Sequence, residues 1–197
     1  MSDQTNHPRL GGRFDDALVF AARKHRAQVR KGSEVPYVGH LLGVCSLVIE
    51  DGGSEDEAIA ALLHDVVEDQ GGEVVLEEVR ARFGEEVATI VLACSDTTAV
   101  SKPPWRARKE AYLAHLKTAS PSTLRVSLAD KLYNARAILR DLRTVGDAVW
   151  QRFNTGRDDQ RWYYGALART FAELRPGPMA TELGETVAAI RSMAPER

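Results

Sequence analysis

Residues 54–72 read SEDEAIAALLHDVVEDQGG, and this stretch decides the fold. Ser54 followed three residues later by Glu57 is a capping-box pattern, and Gly71-Gly72 closes the run, so the spacing predicts one helix between them. His64, Asp65, Glu68 and Asp69 put an imidazole and three carboxylates close together within it. At about 100° per residue these four fall within an arc of roughly 140°. Ile59, Leu62, Leu63, Val66 and Val67 fill the opposite arc as a core-facing stripe. Upstream, the polar arc continues as Ala58 and Ala61, where a solvated face would carry Lys or Glu. The arc is therefore expected to be covered by other helices. Covered carboxylates need a partner, because an uncompensated buried charge costs several kcal/mol or is neutralised by a shifted pKa. A divalent cation is one such partner. An acidic solvent face is the plainer alternative, and this segment alone leaves it open.

Outward from this helix, helical patterns continue in both directions. Phe14, Leu18, Ala21, Ala22 and Val29 keep helical spacing and predict a first helix that ends in the basic cluster Arg23–Arg26 and Arg30-Lys31. Gly32, Ser33 and Pro36 mark a loop, and a nearly all-apolar second helix is expected from about His40 to Gly52-Gly53. Beyond the opening stretch, residues 73–94 read as a helix broken at Gly84, and Ser95–Trp105 as the longest loop. Further helices are expected over 106–117, from Ser120-Pro121 to about Leu142, over 147–153 and 159–174, and after Pro176-Gly177-Pro178. No segment alternates with a two-residue period, and no internal repeat is present. The predicted class is all-α, a globular bundle of roughly eight to ten helices.

The bulk numbers bound the rest. A chain of 197 residues, 44% hydrophobic and 27% charged, suits one globular domain. The expected division is a tail over 1–12, a domain over 13–175, and a C-terminal helix over 176–197 packed on or trailing it. A formal net charge of -2 gives no global pull toward nucleic acid or anionic membrane, so neither is expected as a partner. Cys45 and Cys94 make no disulfide framework, and neither a signal peptide nor a run of transmembrane length is evident. A cytoplasmic protein is the expectation, with a homodimer left open.

Two further polar residues sit in apolar surroundings. His40 opens the apolar second helix, and Asp130 stands inside VSLADKLYN, where its poor helix propensity demands a tertiary reason. Either alone reads as a satisfied core histidine or a buried carboxylate. With His64 and Asp65 they make two imidazoles and two carboxylates, a set that suits a first-row divalent metal.

The order His40, His64-Asp65, Asp130 resembles that of the HD-domain metal-dependent phosphohydrolases. The closest branch is the small stand-alone (p)ppGpp hydrolases and the hydrolase domain of RelA/SpoT proteins. Five ordered blocks carry the resemblance: HRAQVRK (25–31), PYVGHLL (36–42), AALLHDVVED (60–69), FGEEVA (83–88) and SLADKLYNAR (127–136). The resemblance implies an HD-domain helical bundle in which His40, His64, Asp65 and Asp130 ligate one metal, Mn²⁺ in relatives. It implies that Glu68 and Asp69 position or deprotonate the attacking water, and that Arg30, Lys31, Lys131, Asn134 and Arg136 contact a nucleotide substrate. The implied reaction removes the 3′-pyrophosphate of (p)ppGpp. Related enzymes act on other nucleotides, NADPH 2′-phosphate or nucleoside monophosphates, and a non-catalytic nucleotide sensor is a third reading. The loop between Arg30-Lys31 and Pro36-Tyr37 is one residue longer than is usual in RelA/SpoT domains, and Leu41 replaces a common proline. His25 is read as structural or as a support behind the ligands, His115 and His7 as ordinary, and Trp162-Tyr163-Tyr164 as core or dimer packing. Five histidines in all argue against the di-iron HD oxygenases.

Overall fold

A computed structural model describes residues 9–95 and 103–193. Its helices run in order α1 Gly12–Lys24, α2 Val38–Glu50, α3 Glu55–Leu63, α4 Val66–Gln70 and α5 Gly72–Phe83. They continue as α6 Glu85–Cys94, α7 Trp105–Leu116, α8 Pro121–Val145, a 3₁₀ helix Gly146–Arg152, α9 Arg157–Leu174 and α10 Pro178–Met193. The class is all-α, as the sequence implies. Among the described residues the extended pairing is one isolated bridge, Val29 with Pro36.

The centre of the bundle is α3. Every residue from Glu57 to Leu63 is buried, so this helix is covered on all sides rather than amphipathic. Ala58, Ala60 and Ala61 keep it slim, and α1, α2, α6 and α8 pack around it. Its start carries the expected capping box: Ser54 Oγ accepts from the Glu57 amide, and Glu57 Oε2 accepts from the Ser54 amide at 2.7 Å. The same Glu57 carboxylate meets Arg125 Nη1 at 2.5 Å, while Arg125 Nε reaches Asp51 at 2.9 Å. That network ties the start of α3 and the end of α2 to α8. On the other flank, Gly43 of α2 lies against Tyr133 of α8, so close that a Cβ would meet the ring at 1.9 Å. The missing side chain sets the approach of α2 to α8, and with it the approach of His40 to Asp130.

Three local departures from the sequence reading matter for the site. The helix expected over 54–72 is two helices, because α3 ends at Leu63 and α4 starts at Val66. Asp65 sits at φ −100°, ψ −4°, the bridge region where many active-site residues lie. A continuous helix would aim adjacent side chains about 100° apart; the break lets His64 and Asp65 face one point. Secondly, α1 stops at Lys24, so Val29 and Arg30-Lys31 do not extend it. They lie in a reversed loop, where the Arg30 amide donates to Val35 and the Tyr37 amide to Gln28, with Gly32 at φ +72° making the turn. Thirdly, Ala58 and Ala61 are wholly buried as expected, but Glu68 is only half-buried and Asp69 is exposed. Most of the tail expected over 1–12, His7, and most of the loop expected over 95–105 lie outside the described residues. At the other end α10 packs along α8 and α9 through Leu183, Val187 and Ile190.

Candidate active site

Three separate pieces of chain deliver the central side chains. The first turn of α2 brings His40, the break between α3 and α4 brings His64 and Asp65, and the middle of α8 brings Asp130. His40 Nε2 stands 3.3 Å from His64 Nε2, 3.4 Å from Asp65 Oδ2 and 3.3 Å from Asp130 Oδ1. His64 Nε2 stands 2.9 Å from Asp65 Oδ2 and 3.6 Å from Asp130 Oδ1. Donors about 2.1 Å from one cation and at right angles to each other sit about 3 Å apart, so this spacing fits a shared ion. The tautomer fits as well. His64 Nδ1 donates to the Ala61 carbonyl at 2.9 Å, one of the last carbonyls of α3, and this leaves the Nε2 lone pair facing the other donors. Two imidazoles and two carboxylates are a suitable set for a divalent metal.

The electrostatics point the same way. Burial disfavours a charged imidazole at His64, but Asp65 and Asp130 outweigh it and hold its pKa well above the ordinary value. Burial likewise opposes charge on Asp65 and Asp130, yet His64 beside the first and Lys131 beside the second hold both well below the usual carboxylate range. Positive charge is therefore favoured where the four donors meet. A proton on His64 supplies it, or a divalent cation that displaces that proton.

Each carboxylate is also oriented from behind. Tyr37 Oη donates to Asp65 Oδ2 at 2.6 Å, and its phenol is pushed up in pKa by burial and by that carboxylate. Asn134 Nδ2 donates to Asp130 Oδ1 and Lys131 Nζ to Asp130 Oδ2, both at 2.6 Å. Arg30 Nη2 donates to Asn134 Oδ1 at 2.6 Å, so a cation in the loop is connected to Asp130 through one amide. Glu68 and Asp69 follow on α4, one turn beyond His64 and Asp65. Water lost on folding, together with the negative charges of Asp65 and Glu68, raises the Asp69 pKa against the Gln28 amide that opposes this.

His40 and Tyr37 form one end of a cavity of about 690 Å³. Its walls carry Arg30, Lys31, Arg140 and Arg152, with Ala137, Ile138, Val149 and Phe153 as an apolar side. Arg152 is pinned by Asp141 at 2.5 Å, and Lys31 by Asn154 at 2.5 Å. Four cations around an apolar wall suit a molecule with a flat apolar part and several phosphates.

Of the sequence-predicted residues, His40, His64, Asp65 and Asp130 come together, and Arg30, Lys31 and Asn134 line the cavity. Two do not fit the expected role of substrate contact. The Lys131 ammonium is turned onto Asp130 in a largely covered position, so its charge is spent on that carboxylate. Arg136 is an exposed residue that spends both its Nε and Nη2 on Glu182 of α10, at 2.6 Å each. Two residues beyond Asn134, it is rotated about 200° from it around α8. Arg136→Ala is accordingly expected to leave turnover within about twofold of wild type and to cost at most about 1 kcal/mol of stability, as for an exposed ion pair. Kinetics and thermal melting of the one variant read both.

Tyr37, Arg140 and Arg152 were not singled out from the sequence. Tyr37 stands inside the block PYVGHLL, beside a proline that fixes the approach to α2, and that was its available signal. On α8, Asn134, Ala137, Ile138, Arg140, Asp141 and Thr144 recur at three- and four-residue spacing, and that spacing was the available signal for Arg140 on the cavity face. Arg152 arrives through the 3₁₀ helix and has no local signature.

Comparison with known proteins agrees with this geometry. The HD domain family model matches residues 17–160. The guanosine-3′,5′-bis(diphosphate) 3′-pyrophosphohydrolases of Xenopus tropicalis and Homo sapiens are each 40% identical over 138 residues, covering 68% of this chain and 72% of theirs. A longer enzyme of the same name from Aquifex aeolicus is 31% identical over 134 residues, only 19% of its own length. A solved structure of a metazoan ortholog of SpoT, described as hydrolysing ppGpp with a role in starvation responses, superposes with a TM-score of 0.74 at 29% identity, covering 91% of this chain and 96% of that one. On the shared motif order, the donor geometry and these matches, the chain belongs to the HD-domain family.

Proposed function

We propose that this chain is a Mn²⁺-dependent hydrolase that removes the 3′-pyrophosphate of (p)ppGpp, giving GDP or GTP and pyrophosphate. The observation that carries the reading is the meeting of four metal-type donors, one of which, His40, also lines a cavity walled by four cations. The relatives named for this reaction, at 40% identity, support it.

His40, His64, Asp65 and Asp130 would hold the metal, and when bound it would neutralise phosphate charge and lower the pKa of a water. Glu68 and Asp69 hold the attacking water and take its proton, since a carboxylate within reach is the base this chain offers there. Oxygen from water bonds to the phosphorus attached at the ribose 3′ position, the bond from that phosphorus to the 3′ oxygen breaks, and the 3′ oxygen leaves as a hydroxyl after protonation. Arg30 and Lys31, fixed by Asn134 and Asn154, face the phosphates, and the apolar wall of Ala137, Ile138 and Val149 takes the base. Both cysteines are free, consistent with a reducing cytoplasm, and no described helix is long and apolar enough to cross a membrane.

The test is pyrophosphate release from ppGpp by purified protein supplied with Mn²⁺, beside a panel containing NADPH and nucleoside monophosphates. Fast cleavage of ppGpp, lost on chelation and restored by Mn²⁺, is the expected result. Cleavage of another panel member with ppGpp untouched would discard the alarmone while keeping the hydrolase. Light scattering of the same preparation reads the homodimer that the sequence leaves open.

A further inference from the structure

Behind Asp69 lies a chain of hydrogen bonds that the mechanism above does not use. His25, buried at 2% exposure just after α1, places Nδ1 at 2.6 Å from Gln28 Oε1. Gln28 Nε2 donates to Asp69 Oδ2 at 2.7 Å, and Gln70 Nε2 donates to Gln28 Oε1 at 2.6 Å. The amide orientation is set by the network. A carboxylate only accepts, so the Gln28 nitrogen must face Asp69 and its oxygen must face the His25 and Gln70 donors. The His25 ring also stacks on Tyr37, centroids 5.3 Å apart and planes 19° apart, and Tyr37 holds Asp65. One buried imidazole thus stands behind both the carboxylate of the donor set and the carboxylate beside it.

Asp69 needs such support. It is exposed and sits on α4, a helix of only five residues that is anchored through buried Val66 and Val67 on its other face, so packing does not fix the Asp69 side chain itself. A lysine or arginine would fix the carboxylate more firmly, but its charge would lower the basicity that proton acceptance requires. A carboxamide fixes it and, carrying no full charge, lowers that basicity less, so that the Asp69 pKa still stands above its ordinary value.

We propose that Gln28, oriented by His25, is the positioning residue that aims Asp69 at the attacking water. This rests on the assignment of Asp69 to that water in the function proposed above.

The test uses the full chain with Mn²⁺ and ppGpp. Gln28→Met keeps the length of the side chain and deletes the amide. It is expected to lower kcat by about five- to fiftyfold, the scale of a misplaced reacting group. KM, the Mn²⁺ concentration for half activation and the melting temperature should stay at wild-type values, which a merely structural residue would not allow. His25→Phe preserves the stack on Tyr37 but removes the Nδ1 donor, and should show a smaller fall of the same kind. In an Asp69→Ala background, read by single turnover at high enzyme concentration, Gln28→Met should change the rate by less than about twofold.

A kcat for both single variants within twofold of wild type overturns the inference. So does a factor that survives undiminished without Asp69, or a KM or melting temperature that falls away together with kcat in both. Wild type that leaves ppGpp intact overturns the functional reading instead, and the same cycle is then read on whichever panel nucleotide is cleaved. A chain that cleaves none of the panel overturns both.

Discussion

Asp65→Ala is expected to abolish turnover and metal retention together. Asp65 Oδ2 lies 2.9 Å from His64 Nε2 and 3.4 Å from His40 Nε2, so its loss removes one of two anionic donors from the gathering. It also strands the Tyr37 hydroxyl, which donates to that oxygen at 2.6 Å. The charge that a bound metal stabilises in a phosphoryl transition state is worth several kcal/mol. At 1.36 kcal/mol per decade this corresponds to a fall of about 10³-fold or more in kcat. Elemental analysis after dialysis against Mn²⁺ should find about one metal per wild-type chain and a small fraction of that in the variant. Stoichiometric metal in Asp65→Ala, with turnover within tenfold of wild type, would remove Asp65 from the donor set. The electrostatics make a second demand on the metal-free protein. Asp65 and Asp130 together hold His64 above the ordinary histidine pKa against burial, so with Asp65 gone that imidazole should titrate lower than in wild type, which NMR of the histidine ring reads directly.

Glu68→Gln should separate chemistry from metal binding. The substitution keeps the shape of the side chain and removes its basicity, and Glu68 contributes no atom to the His40–His64–Asp65 group. Loss of a general base costs about 10² to 10⁴ in rate. The expected result is a kcat reduced by that factor, with metal content at the wild-type level and KM for ppGpp changed by less than about threefold. Turnover within threefold of wild type would move the proton-accepting role to Asp69 alone. Metal lost along with activity would make Glu68 a ligand instead. Together the two variants test whether residues 64–69 divide into those that hold the cation and those that handle water.

Much of this was legible in the chain. Ser54, Glu57 and the glycine pair marked the start and end of the central stretch because capping and αL geometry are local chemistry, and the capping box is present in the structure. Ala58 and Ala61, small residues where a wet face would carry charge, correctly foretold cover by other helices. Asp130, against its helix propensity, betrayed a tertiary role. Other features left no such trace. The break between Leu63 and Val66 contains neither proline nor glycine, so periodicity reads straight through it. The direction in which the Arg136 and Lys131 side chains point was hidden for a different reason. A basic residue beside a motif shows its charge, while the direction it faces depends on its partner: Glu182 of α10, which packing brings to Arg136, or the preceding Asp130, onto which Lys131 turns.

By itself, then, the sequence determined the helical class, and it singled out the four candidate donors and the carboxylates beside them, because each is written as residue type at a fixed spacing. Only the tertiary structure decided what those groups face. The approach of α2 to α8 across Gly43, the return of the chain through loop 25–37, and the arrival of Arg152 from the 3₁₀ helix join positions far apart along the chain. Such contacts form when buried surfaces close on one another, and no local propensity encodes them.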